Sequence, residues 1–182
     1  MRRRLAYTLG LIVVVIAVIA SVRAGALTAN GPYYAWPAWA QKLPAATRFV
    51  VMTNWNSEAV LDRETGLVWE RSPDLQVRTW KSAYFHCRTR MVDSRLGWRL
   101  PTVEELASLI DPSQPSDALP AGHPFTQVSS AGTWSSTTRD PFSNTTADVV
   151  EFSGTSFLVI QHFQGSSLQA WCVRGGQGSD AP

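Results

Sequence analysis

The sequence predicts an α+β domain, two helices packed on a small antiparallel sheet, after an N-terminal hydrophobic targeting helix. Three observations carry this prediction. Residues 1–23 pair a basic start with an uncharged apolar run. Two stretches, 79–92 and 102–111, place apolar residues at helical spacing. Short runs rich in Val, Leu, Phe and Trp, cut by Gly, Asn and Pro, recur on both sides of them, which is the strand-and-turn pattern. Helices early and strands late give α+β rather than an alternating βαβ order.

Arg2, Arg3 and Arg4 precede an uncharged run from Leu5 to Val22, and small residues follow at Ala24, Ala26 and Ala29. That is the layout of a secretory signal. The run is about 18 residues, the lower limit for a membrane-spanning helix. Residues 1–23 are therefore read as a signal peptide or an uncleaved signal anchor, with residues 5–22 in the membrane in the second case. Positive residues stay inside. Both cases export the rest of the chain, either anchored in the inner membrane facing the periplasm or released as a secreted or periplasmic protein. Residues 24–47 form a linker rich in Pro and Ala, with Tyr33, Tyr34, Trp36 and Trp39 suited to a membrane interface or to the domain surface. Residues 48–176 are the globular domain, and 177–182 a flexible tail.

The chain has 16 basic and 14 acidic residues. Arg2, Arg3, Arg4 and Arg23 lie in the targeting region, leaving twelve basic against fourteen acidic residues beyond it, a net of −2. A weakly acidic domain gives no bulk attraction to nucleic acid, and no nucleic-acid partner is expected. The two cysteines, Cys87 and Cys172, sit in an exported chain, where paired cysteines normally form a disulfide. Closing so long a loop contributes roughly 4 kcal/mol. The alternative is two separate buried thiols.

Phe49–Met52, Ala59–Asp62 and Leu67–Trp69 read as strands, the last two joined by a turn at Glu64–Gly66. Thr79–Val92 reads as a helix with Thr79 as N-cap and Trp80, Ala83, Tyr84, Cys87 and Met91 on its buried face. Thr102–Asp111 reads as a second helix. Thr102 with Glu105 three residues on is a capping box, and Leu106, Leu109 and Ile110 form its buried face. A proline-rich loop follows, then strands at 133–138, 148–152, 157–163 and 169–174.

Five ordered motifs then fall into a pattern. They are Asp62-Arg-Glu-Thr-Gly-Leu-Val-Trp69, Thr79-Trp80 with Ala83 and Cys87, Gly97-Trp-Arg-Leu-Pro-Thr-Val-Glu-Glu-Leu106, Trp134-Ser-Ser-Thr137, and Trp171-Cys-Val-Arg-Gly-Gly176. Together they resemble the Lcl C-terminal domain family, named after the C-terminal domain of a bacterial collagen-like adhesin, over Val60 to Gly176. Arg99-Leu-Pro-Thr102 and Cys172-Val-Arg-Gly175 also resemble formylglycine-generating enzymes, which share a C-type-lectin-like core. The resemblance implies that core and a helix-to-last-strand disulfide between Cys87 and Cys172. The family's best known member binds sulfated polysaccharide. Fold alone does not fix function.

No catalytic residue, metal or cofactor is expected. His86, His123 and His162 stand apart without metal spacing, and no nucleophile elbow or phosphate loop occurs. Formylglycine chemistry uses a pair of active-site cysteines with copper, whereas both cysteines here fall at the disulfide positions. Asp140, Asn144 and Asp148 offer oxygen ligands at calcium-like spacing, but such residues are also ordinary turn formers. The sharper signal is basic. Arg78, Lys81, Arg88, Arg90, Arg95 and Arg99 lie within one stretch against a single acid, Asp93. Arginine forks suit sulfate and phosphate oxygens, so Lys81, Arg88, Arg90 and Arg95 are candidate ligand-binding residues for a glycan or polyanion. Trp55, flanked by Asn54 and Asn56, is the candidate exposed ring for sugar stacking. The function expected is a non-catalytic binding module. The alternatives are an envelope interaction domain and, last, a divergent oxidase. The sequence leaves the oligomeric state open.

Overall fold

The computed structural model describes residues 43–114, 118–139, 145–153 and 158–175. The chain divides into two units, Met1–Gly31 and Pro32–Pro182, and all described residues belong to the second. The expected targeting segment, most of the expected linker and the expected tail lie outside the described residues. Among the described residues, no helix is long and apolar enough to cross a membrane.

The elements run α1 (Ala45–Arg48), β1 (Phe49–Val51), β2 (Ala59–Asp62), β3 (Val68–Glu70), β4 (Val77–Arg78), α2 (Trp80–Thr89), β5 (Trp98–Arg99), α3 (Val103–Ala107), β6 (Thr133–Trp134), β7 (Thr146–Glu151), β8 (Leu158–Phe163), β9 (Leu168–Gln169) and β10 (Val173–Arg174). The class is α+β, but the single small sheet expected is two five-stranded sheets. One has the order β1-β2-β3-β10-β5 and is antiparallel throughout. The other has the order β4-β9-β6-β7-β8 and is antiparallel except for β6 beside β9. The run expected as one strand over 169–174 is cut in two. Its ends serve different sheets, and Ala170–Cys172 between them are buried.

The β2–β3 turn forms as expected. The Asp62 N–H donates to Leu67 O at 2.8 Å, and Gly66, at φ 71°, supplies the left-handed step that a side chain resists. Helix α2 stops at Thr89 rather than Val92. Its C-cap Arg90 is extended, and Asp93 and Ser94, both at positive φ, close a two-residue turn between Val92 and Arg95. Met91 consequently leaves the helix and is 58 % exposed, not part of a buried face. Thr79 occupies the N-cap position without a side-chain cap bond. Thr102 makes the full capping box with Glu105, although α3 ends at Ala107 and its chain continues in tighter turns that bury Leu109 and Ile110.

Two apolar clusters fill the interior. Trp171 gathers Trp69, Phe125 and Phe152 at ring separations of 5.2, 5.0 and 5.7 Å, with Leu106, Leu109 and Ile110 from the α3 region. Trp98, Trp134, Ala83, Cys87 and Cys172 belong to the second cluster. Cys87, on the inner face of α2, is bonded to Cys172 just before β10, with Cα atoms 5.3 Å apart. Arg48 is fully buried where α1 meets β1. Its guanidinium grips Asp62 at 2.9 and 2.7 Å, reaches Ser108 O at 2.9 Å and lies 3.2 Å from Glu64.

Candidate functional site

Four arginines of the basic stretch meet carboxylates in the structure, three of which come from outside it. Arg78 makes a two-pronged pair with Asp74 at 2.7 and 2.9 Å. Arg99 makes another with Glu105 at 2.8 and 2.7 Å, so the cap residue of α3 also answers an arginine in β5. Arg90 is held by the carboxylate of Glu70, a residue 2 % exposed at the end of β3. Arg95 pairs with Asp93 and covers the Trp55 ring at 4.5 Å. These four are drawn into the fold by carboxylates.

Trp55 is not the exposed ring expected from its asparagine neighbours. It is 7 % exposed, packs edge-on against Trp98 at 6.4 Å, and is covered by the guanidiniums of Arg95 and Arg174. Its burial follows from the tight turn at Asn56 and Ser57, both in the left-handed region, which folds the ring back under β2.

Lys81 and Arg88 remain on the outer surface of α2, seven residues apart and therefore on one face. Tyr84 lies between them. Its ring stacks on Trp80 at 5.8 Å and 24°, and the Arg88 guanidinium sits 5.5 Å from its centroid while Nη1 donates to its hydroxyl at 2.8 Å. The Trp80 indole N–H is fixed by Ser135 O at 2.8 Å, so the platform is anchored to the second sheet. Phe85, 54 % exposed, extends the aromatic surface. Trp80 and Tyr84, expected on the buried face, pack against the second apolar cluster and stay partly open to solvent beside the exposed cations.

The ionisable groups beneath it are structural. Burial pushes the Glu70 carboxyl above its ordinary value, against the lowering effects of the Cys172 N–H at 3.0 Å and of Arg90. The hydrogen bonds from Arg78 hold Asp74 below the usual carboxylate range. Burial, reinforced by Arg78, lowers His86, which lies 3.7 Å from Asp74. His123 stacks on Phe125, and His162 meets the edge of Trp134. Among the described residues no group of three His, Cys, Asp or Glu side chains could hold a metal ion. Of the calcium candidates, Asp140 and Asn144 lie outside the described residues. Asp148 is 1 % exposed and gives both oxygens to Arg139 at 2.9 Å.

The motifs that mark the disulfide, the capping box and the β2–β3 turn are thus the ones that build the fold. The model of the Lcl C-terminal domain matches residues 58–174. The chain belongs to this family. The match spans well over half the chain, from Glu58 before β2 to Arg174 in β10. No curated protein and no solved structure matches it. Within the Lcl C-terminal domain, Lys81 and Arg88 are exposed on one helix face, and the ring contacts beside them went unread although Trp80, Tyr84 and Arg88 stand at four-residue spacing. The acids Glu70 and Asp74 also went unread. Only Asp74, four residues before Arg78, carried a local cue.

Proposed function

We propose that this Lcl C-terminal domain is an extracytoplasmic, non-catalytic binding module for a glycan or sulfated polysaccharide. The N-terminal segment would either anchor it in the inner membrane or be cleaved on export. The observation that carries the reading is the surface of α2, where exposed Lys81 and Arg88 lie beside the partly buried Trp80–Tyr84 stack. Flat aromatic surface suits the apolar face of a sugar ring, and adjacent cations suit its sulfate or carboxylate groups. A C-type-lectin-like core is supported by the bond from α2 to the approach of the last strand. Non-catalytic action is supported by the same bond, since the chain's two cysteines are both consumed by it and oxidase chemistry would require free thiols.

A glycan and sulfated-polysaccharide array read at two salt concentrations tests this. Binding is expected to weaken with salt, because contacts to a polyanion are screened. Lys81→Glu with Arg88→Glu should reduce it about ten-fold or more while leaving stability within about 0.5 kcal/mol. Binding unmoved by the double reversal would remove α2 from the site. The second reading is an envelope protein-interaction domain. It is favoured by exposed Leu75, Val77 and Phe85, at 67, 60 and 54 %. A crosslinked envelope protein with no retained glycan would select it.

A further inference from the structure

A polar cleft shares no lining residue with the aromatic face. The cleft, of about 600 Å³, opens beside the end of β3, and its lining includes Ser57, Glu58, Arg71, Ser72, Arg90 and Thr126. Arg71 is the residue that needs explaining. Its backbone is locked on both sides, the N–H donating to Glu58 O and the carbonyl accepting from Thr126 N, each at 2.9 Å. Its guanidinium is half-buried, and its hydrogen bonds among the described residues run to two carbonyls, Pro124 O at 3.3 Å and Ser57 O at 3.4 Å. Among the described residues no carboxylate pairs with it, whereas Arg48, Arg78, Arg90 and Arg99 each have one. A half-buried guanidinium held by long contacts to neutral dipoles keeps donors and charge available to an incoming anion.

The rest of the lining narrows the anion. Arg90 is neutralised by Glu70, and Glu58 brings one negative charge to the rim. Arg71 and Glu58 together favour a monoanion over a dianion such as phosphate, which Glu58 would repel. Glu58 accepts from the Asn56 side chain at 3.1 Å and from the Asp93 N–H at 3.3 Å, so capacity remains on its four lone-pair sites. Three hydroxyls and a carboxylate acceptor suit a ligand rich in hydroxyl groups, and Met91 is the one apolar contributor. We propose that this cleft binds a carboxylated sugar, its carboxylate on Arg71 and its ring hydroxyls on Glu58, Ser57 and Thr126. The site is separate from the α2 face and does not depend on it.

The test titrates the full chain in detergent with D-glucuronate, and with D-glucuronamide as the uncharged isostere, following amide shifts by NMR. Glucuronate should bind at least ten-fold more tightly than the amide and shift signals at Ser57, Arg71 and Thr126. Arg71→Gln should abolish that preference, and Lys81→Glu with Arg88→Glu should leave it intact. Equal affinity for acid and amide, shifts confined to α2, or no binding of either would overturn the proposal. Because the comparison of acid with amide is made on the unaltered protein, it decides the matter even if the Arg71 variant fails to fold. Absence of polysaccharide binding by the unaltered protein, with glucuronate binding retained, would count against the α2 reading alone.

Discussion

The cations of this domain divide into two regions by how deeply they and their neighbours are buried. Around the first sheet, Arg48, Arg90 and Arg99 end on carboxylates that are themselves buried or nearly so. On the outer face of α2, Arg88 lies over a tyrosine ring and Lys81 is exposed. The difference teaches that a run of basic residues does not measure the charge offered to a ligand. Where the acids arrive from in three dimensions decides that. Residues before the stretch, Glu70 and Asp74, and one after it, Glu105, turn a sixfold cluster into a small outward face with most of its arginines structural.

The comparison breaks most severely at the bond between the regions. Cys87 sits on the inner face of α2, and the Cys172 N–H donates to the carboxylate that holds Arg90. The Cys87→Ser, Cys172→Ser double variant should lose roughly 4 kcal/mol of unfolding free energy, from the loop released in the unfolded chain. Urea unfolding of the oxidised protein, the reduced protein and the variant measures it. The last two should coincide, and a loss near zero would show that packing alone holds α2. Next in size is Asp62→Asn. It leaves the Arg48 guanidinium in the interior with Glu64 as its remaining acid, so about 3 kcal/mol should be lost, toward the low end for a broken buried pair. If the variant unfolds at the same urea concentration as the parent, the interior region owes nothing to this ion pair.

How much of this was readable follows the range of the interactions. The capping box at Thr102 and Glu105 and the turn at Gly66 depend on neighbours within a few residues, and both stood in the sequence. The tryptophans within the family motifs read as core, and Trp69, Trp98, Trp134 and Trp171 are buried while Trp80 is only partly so. Trp55 failed because its exposure was judged from Asn54 and Asn56, while its burial depends on Trp98, Arg95 and Arg174, far along the chain. The strand expected over 169–174 failed because alternation within one run cannot reveal that its two ends pair with different sheets. The Arg90–Glu70 pair, twenty residues apart and brought together by tertiary folding, left no local trace.

Acid sharpens the comparison last, because it acts where the two regions meet. His86, in the final turns of α2, faces Asp74 with Arg78 and Arg90 nearby, and burial lowers it below the ordinary histidine value. The unfolded chain therefore takes up this proton before the native protein does, and stability must fall as pH drops through and below the ordinary histidine range. Asp74 acts in the same direction at lower pH: its contribution is present above the usual carboxylate value and is lost as pH falls through its lowered one. Glu70 acts oppositely. Its raised carboxyl binds a proton more readily in the native state, so its ionisation removes stability as pH rises from the ordinary carboxylate value through the raised one. Urea midpoints measured from pH 7.5 down to the carboxylate range should therefore first decline, with His86→Gln flattening that part of the curve. Glu70→Gln should alter only the more acidic part. If His86→Gln leaves the upper decline unchanged, the proton is taken up elsewhere, and burial of this histidine does not set the acid sensitivity.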